Sequence, residues 1–301
     1  MPTLLEVCAE FSTDERCREL LTRLRFEGGG VVCLRCGFDD MARLSPKLWF
    51  CRKCEYKFSV TVGTIFADSH LPLLTWFAAT YLICESRKGM SANQLKRMLG
   101  VSYKTAWYLC HRIRAAMVEA ERVPLDGTVE IDETYVGGRQ KGKGRGAFGS
   151  EKEIVIGIRQ RGGEVRFFHV EDIKSGTLEK YIKENVSRDV QAIITDEHAS
   201  YPAAIEGNPL FGDYRGKHKT VNHSAGVYVQ GDVHTNTVEN SFSLLKRGIM
   251  GTWHNISAKH LLRYLHEMEF RFNRRHQKDI FTDTLRYMVK TDPLRFAELV
   301  A

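Results

Sequence analysis

Apolar residues near the start of the chain fall at helical spacing: Leu4, Leu5, Cys8, Phe11, Cys17, Leu20, Leu21 and Leu24, until Gly28-Gly29-Gly30 breaks the pattern. Helical spacing returns over 73–121, with interruptions at Lys88-Gly89 and at Gly100. After Pro124 and Asp126-Gly127 the period shortens to that of strands. Residues 128–136 predict one, and 153–159 and 165–170 predict two more joined by Arg161-Gly162-Gly163, a good hairpin signal. A helix over 177–186 and a buried strand over 190–195 follow, then a stretch without clear period, then helices from about residue 237 to the end. Three strands, a helix, a fourth strand and closing helices predict an α/β domain on a mixed sheet. The boundaries that follow are a helical segment 1–27, a cysteine-rich unit 28–62, a helical segment 63–124, an α/β domain 125–275 and a helical tail 276–301.

Composition adds little to this, since 43% hydrophobic and 27% charged residues are ordinary for a globular protein. Charge adds more. The net charge of +7 is unevenly spread: residues 86–122 carry eight Lys or Arg against two Glu, and residues 241–290 carry ten against four acids. The Gly-rich stretch 137–149 holds Arg139, Lys141, Lys143 and Arg145 and no acid. Two basic zones and a basic loop suit a polyanionic partner, although solvated helix faces give the same counts. There is no apolar run long enough to span a membrane and no signal-peptide pattern at the N-terminus, so the expected location is the cytoplasm.

Cys33-Leu34-Arg35-Cys36 and Cys51-Arg52-Lys53-Cys54 are two C-x-x-C knuckles with fourteen residues between them. Each knuckle can bring two thiolates to one ion, and four thiolates close a tetrahedral shell, so the pattern predicts one structural zinc in a ribbon. The remaining cysteines, Cys8, Cys17, Cys84 and Cys110, read as free thiols of a reducing compartment.

Residues 91–109 read as a helix capped by Ser91, a turn at Gly100 and a second helix capped by Ser102. This is the outline of a helix-turn-helix. Tyr103, Lys104, Thr105 and Tyr108 lie where a recognition helix meets the major groove, and Arg112 and Arg114 are candidates to follow phosphates. An ordinary helical hairpin is the plain alternative.

Three carboxylates stand where an acid is costly unless it works. Asp132 lies in a β-rich run, Asp196 ends the apolar run 192–195, and Glu239 lies on a helix with Ser243 and Lys246 at i, i+4 and i+7. A Glu aimed at a sheet edge that already holds two Asp meets like-charge repulsion, which divalent metal relieves. Hard oxygen ligands suit Mg²⁺ or Mn²⁺, and a pair of such ions serves in-line phosphoryl transfer. Glu130, Glu133 and Glu197 are nearby acids that composition alone does not exclude.

Ile131-Asp132-Glu133-Thr134-Tyr135-Val136-Gly137-Gly138, Thr195-Asp196-Glu197-His198-Ala199-Ser200-Tyr201, and His234 to Glu239 through Lys246-Arg247-Gly248 closely resemble blocks of bacterial insertion-sequence transposases of the ISXO2-like kind. The similarity covers nearly the whole chain, including the closing Phe270-Arg271-Phe272-Asn273-Arg274-Arg275, while Phe242-Ser243 departs from the Phe-Trp-Ser expected there. What the resemblance implies is a ribonuclease-H-like catalytic core, preceded by a zinc ribbon and a helix-turn-helix segment. It also implies a DDE-type triad of Asp132, Asp196 and Glu239, with Lys246 as companion and Arg247 as a DNA contact. Asn236 and Asn240 flank Glu239 as other candidates for the third place, and Glu239 has the stronger case because it adds negative charge toward cations. The implied activity is Mg²⁺-dependent cleavage at the terminal repeats of an element and transfer of the freed strands to target DNA, by a dimer or higher oligomer. A nuclease without strand transfer, and a DNA-binding regulator with an inactive core, are the competing readings.

Overall fold

The computed structural model describes residues 3–27, 29–119, 121–137, 152–207, 213–222, 226 and 229–301. The chain divides into two compact units, Met1–Val118 with Arg274–Ala301, and Glu119–Asn273. Arg139, Lys141, Lys143 and Arg145 lie outside the described residues.

In the first unit the opening helical run is two helices, α1 (Leu4–Glu10) and α2 (Asp14–Arg25). The break has a local cause: the Thr13 hydroxyl accepts the Arg16 N–H and restarts the helix, as the Thr3 hydroxyl does for Glu6. β1 (Met41–Ser45), β2 (Leu48–Cys51) and β3 (Lys57–Phe58) form a small antiparallel sheet. α3 (Leu73–Glu85) buries Trp76, Phe77, Ala79 and Ile83. α4 (Ala92–Leu99) and α5 (Tyr103–Ala116) are joined through Gly100, whose φ of 67° is left-handed backbone that a glycine adopts without strain. Ser91 and Ser102 cap these two helices by accepting N–H bonds from Gln94 and Thr105.

The second unit opens with β4 (Thr128–Val136), β5 (Glu153–Gln160) and β6 (Val165–Val170). Then come α6 (Ser175–Asn185), β7 (Ala192–Thr195), α7 (Ser200–Glu206), β8 (His218–Thr220), α8 (Asn236–Gly248), a π-helical turn Ile249–Trp253 and α9 (Ala258–Asn273). The five strands lie in the order β6-β5-β4-β7-β8, with β5 antiparallel to both neighbours and β7 and β8 parallel to β4. This is a mixed α/β sheet with flanking helices, as expected above. Because strand side chains alternate, β4 sends Val129 and Ile131 into a core with Leu178, Ile182, Tyr201 and Ile205 of α6 and α7. On the other face Val136, Val155 and Phe167 pack with Val238, Phe242 and Leu245 of α8 and with Leu261 and Leu265 of α9.

The chain then returns to the first unit as α10 (Ile280–Lys290) and α11 (Phe296–Val300). α10 packs against α2, α3 and α5, with the Phe281 ring 5.8 Å from that of Phe77. Among the described residues no helix is long and apolar enough to cross a membrane.

Candidate functional site

Asp132 sits on β4 in register with Gly157 of β5. The parallel register of β4 and β7 pairs Glu130 with Ile194, so two residues further along it sets Asp132 beside Asp196, just past the end of β7. Neighbouring strands are about 4.8 Å apart, which makes the two acids neighbours at that sheet edge. Asp132 points to the face that α8 covers, since it shares that face with Glu130 two residues earlier. Gly157 lets α8 come close: a Cβ there would stand 2.7 Å from Cζ of Phe242 and 3.1 Å from Cγ2 of Val238. Glu239 is the residue after Val238, half-buried, and its Oε1 accepts a 2.7 Å hydrogen bond from the Thr235 hydroxyl. Lys246 is exposed on the outer face of the same helix, seven residues on and about 10 Å along the axis. Asn236 and Asn240 are also exposed.

Electrostatics mark Asp132 as the centre of this cluster. Burial pushes its carboxyl up to about 8, and the charges of Glu133, Asp196 and Glu239 add to the rise, against a backbone N–H from Glu133 that lowers it. Glu133 is also raised, chiefly by burial; the Tyr201 hydroxyl that donates to it at 2.7 Å works the other way. Asp132, Asp196 and Glu239, whose charges act on one another, are hard oxygen donors of the kind that divalent cations take, whereas Glu133 lies on the opposite face of β4. Among the described residues the side chains gathered closely enough to hold one metal ion are the four ribbon cysteines, whose ligand atoms all lie within 4.8 Å of one another; the triad carboxylates are not so gathered.

Those cysteines make a second, separate constellation. Sγ of Cys33 lies 3.5 Å from that of Cys54, and Sγ of Cys36 lies 3.6 Å from that of Cys51. Zinc–sulfur bonds of about 2.3 Å in a tetrahedron set sulfurs about 3.8 Å apart, so the spacing fits one zinc ion. Arg35 stacks over Tyr56 at 4.2 Å, and Lys53 lies 5.4 Å from the Phe38 ring.

The recognition-helix candidates divide. Tyr103 and Lys104 are exposed at the start of α5, with Lys104 Nζ 4.5 Å from the Phe296 ring, and Thr105 is partly exposed beside its capping Ser102. Tyr108 is half-buried, donating its hydroxyl to the Leu294 carbonyl. Arg112 corrects the expectation that it follows phosphates. It is 3% exposed, donates to the Ile65 and Ala67 carbonyls, and lies over the Trp76 ring at 4.8 Å. Arg114 is buried too, donating to the Met90 carbonyl. Arg247 is exposed, with Nε on the Ser243 carbonyl.

A family model described as an ISXO2-like transposase domain matches residues 124–273. Another, described as a transposase zinc-ribbon domain, matches residues 12–57. A protein of Halobacterium salinarum, described as an uncharacterized protein in transposable element ISH50, is 30% identical over 281 residues, covering 87% of this chain and 91% of that protein. The chain belongs to the ISXO2-like transposase family. Among solved structures, the Mos1 strand transfer complex is similar at 10% identity over 71% of this chain and 75% of that one, with a TM-score of 0.31, too low to bear on the fold.

Sequence reasoning missed several residues around the acids of this transposase domain. Glu130, read as one more nearby acid, is fully buried and bonded to the start of α8. Glu133, next to Asp132, points to the opposite face and is anchored by Tyr201 of α7. Glu197 is exposed. The alternation of β4 could have separated Glu130 and Asp132 from Glu133; it could not have named their partners, which come from distant segments.

Proposed function

We propose that the chain is a DNA transposase that binds the terminal repeats of an insertion sequence and catalyses metal-dependent strand cleavage and strand transfer. The observation that carries this reading is that the β4–β7 register brings Asp196 beside Asp132 while α8, which bears Glu239, closes on the same face of the sheet at Gly157, in a domain that matches a transposase family. Asp132, Asp196 and Glu239 would hold Mg²⁺, and Cys33, Cys36, Cys51 and Cys54 would hold zinc. Bound divalent cations would supply activation of the attacking oxygen and stabilisation of the leaving one.

The chain's own residues do the rest. Asp132 and Asp196 stay fixed by the sheet, while Glu239 is carried on α8. The Thr235 hydroxyl donates to Glu239, and Lys246, further along the helix, offers a cation to a phosphate of the scissile strand. Water and then a DNA 3′ hydroxyl serve as nucleophiles, so no side chain forms a covalent bond to DNA. The exposed residues Tyr103, Lys104 and Thr105, with Arg247 on α8, are the proposed DNA contacts. Joining two element ends implies two or more copies of the chain on DNA.

Labelled end DNA incubated with the protein and Mg²⁺ tests this reading. The expected products are nicked ends and joined strands, both lost in Asp132→Asn while end binding persists. Nicked ends without joining would reduce the reading to a nuclease. Cleavage unchanged in Asp132→Asn would overturn the site.

A further inference from the structure

We infer that Glu130 and Arg161 form a clamp that fixes where Glu239 stands, making both of them positioning residues for the metal site; this rests on the function proposed above. α8 starts without a side-chain cap of its own, because the Thr235 hydroxyl at its head donates to Glu239. The free N–H groups of its first turn are met from the sheet. Glu130 Oε2 accepts from Thr237 N–H at 2.8 Å and from Val238 N–H at 2.9 Å. The other oxygen, Oε1, takes Arg161 Nε at 2.6 Å and has His234 Nδ1 at 3.4 Å.

Arg161 extends the hold to the chain entering the helix. Its two remaining nitrogens donate to the Asp232 carbonyl at 2.7 Å and the His234 carbonyl at 2.9 Å. Arg159, opposite Glu130 in the β4–β5 register, donates to the Thr237 carbonyl at 2.5 Å and to the Ser241 hydroxyl at 2.8 Å. The loop before α8, its first turn and its second turn are thus each tied to the sheet, through Arg161 just past the end of β5, Glu130 of β4 and Arg159 of β5.

Apolar packing alone would keep α8 on the sheet without setting its rotation. Val238, Phe242 and Leu245 already supply that packing. Hydrogen bonds are directional, and rotation matters here: a turn of about 20° moves an atom on the helix surface by roughly 2 Å. Metal ligation tolerates only about 0.2 Å. A charge buried as fully as that of Glu130 is costly unless paired, and its pairing serves the helix turn that carries Glu239.

The test uses the full chain with Mn²⁺ alone as probe, read by the spin resonance of free Mn²⁺, together with hydrogen exchange at Thr237 and Val238. Wild type is expected to bind Mn²⁺ and Asp132→Asn to lose it. Glu130→Gln should weaken Mn²⁺ by about 10- to 100-fold, as loss of an outer support does, and speed exchange at both amides. Val238→Ala, which trims packing from the same turn and leaves every one of these bonds, should lower Tm and shift the Mn²⁺ midpoint less than about twofold. If Glu130→Gln does not fold, Arg161→Lys serves in its place with the same expected ordering. Mn²⁺ binding by the clamp variant at wild-type affinity, or weakened no more than in Val238→Ala, overturns the clamp alone. Binding that survives Asp132→Asn overturns the proposed metal site, and the clamp with it.

Discussion

At Gly157 a methyl group would overlap the Phe242 ring, whose Cζ would lie only 2.7 Å away. Gly157→Ala is therefore expected to lift α8 from the sheet, cost about 1–3 kcal/mol in urea unfolding and slow cleavage more than it lowers stability. Arg112 gives the opposite lesson about a charged residue. Its guanidinium is enclosed by carbonyls and rings of its own unit, so Arg112→Met should cost about 2–3 kcal/mol through unpaired carbonyls and leave DNA affinity per folded molecule unchanged. A fluorescence-anisotropy titration of end DNA beside a denaturation curve separates the two effects. Arg112 reads as a phosphate contact in the sequence because a basic residue on a helix carries no sign of which face will be covered. Here the covering segment is residues 65–67, far upstream. The places of Asp132 on a strand, of Asp196 past a strand end and of Glu239 on a helix were legible from the period of the apolar residues around them, but choosing them over Glu130, Glu133 and Glu197 rested on the family resemblance.

Among the elements, those with a strong period were legible and those made by tertiary pairing were not. β4, β5, β6 and α8 carry their apolar pattern in the sequence. β8 is three residues, His218-Lys219-Thr220, with no apolar alternation, and it is a strand because β7 offers it an edge. α7 contains Pro202 in its first turn and lacks a side-chain cap, so neither its period nor its start was visible. α9 adds a pH dependence. Burial, with Arg122 and Arg263 nearby, lowers His266 from its usual 6.5 to about 4. The unfolded chain thus binds this proton first, so the stability contributed by neutral His266 is complete above pH 6.5 and lost as pH falls toward 4. Glu269 on the same helix has the opposite sign. Burial raises it to about 7 despite its 2.6 Å pair with Arg122, so its contribution fades as pH rises from 4.5 to 7. Unfolding curves for His266→Gln should flatten the acid limb between pH 6.5 and 4 by up to roughly 3 kcal/mol. An unchanged limb would assign acid sensitivity to other groups.

For the whole molecule, two units imply two kinds of stability. The ribbon has few apolar residues of its own and four cysteines with sulfurs spaced for one ion, so a strong chelator, or Cys36→Ser, should release one zinc per chain and melt the ribbon. The second unit, with its cores on both sheet faces, should keep its own unfolding transition in calorimetry. The return of α10 and α11 to the first unit was not legible, because an amphipathic tail shows that it needs a partner without showing which.

The account stands on three acids from β4, the end of β7 and α8 sharing divalent cations, and iron-directed cleavage of the backbone tests this most directly. Fe²⁺ bound in place of Mg²⁺ is oxidised by added hydrogen peroxide to give hydroxyl radicals that cut the nearest chain segments, and ascorbate reduces the iron for the next cycle. The account predicts cuts clustered near residues 132, 196 and 239, all suppressed by excess Mg²⁺. Cuts near one of these segments without the other two, or cuts that excess Mg²⁺ does not suppress, would contradict it.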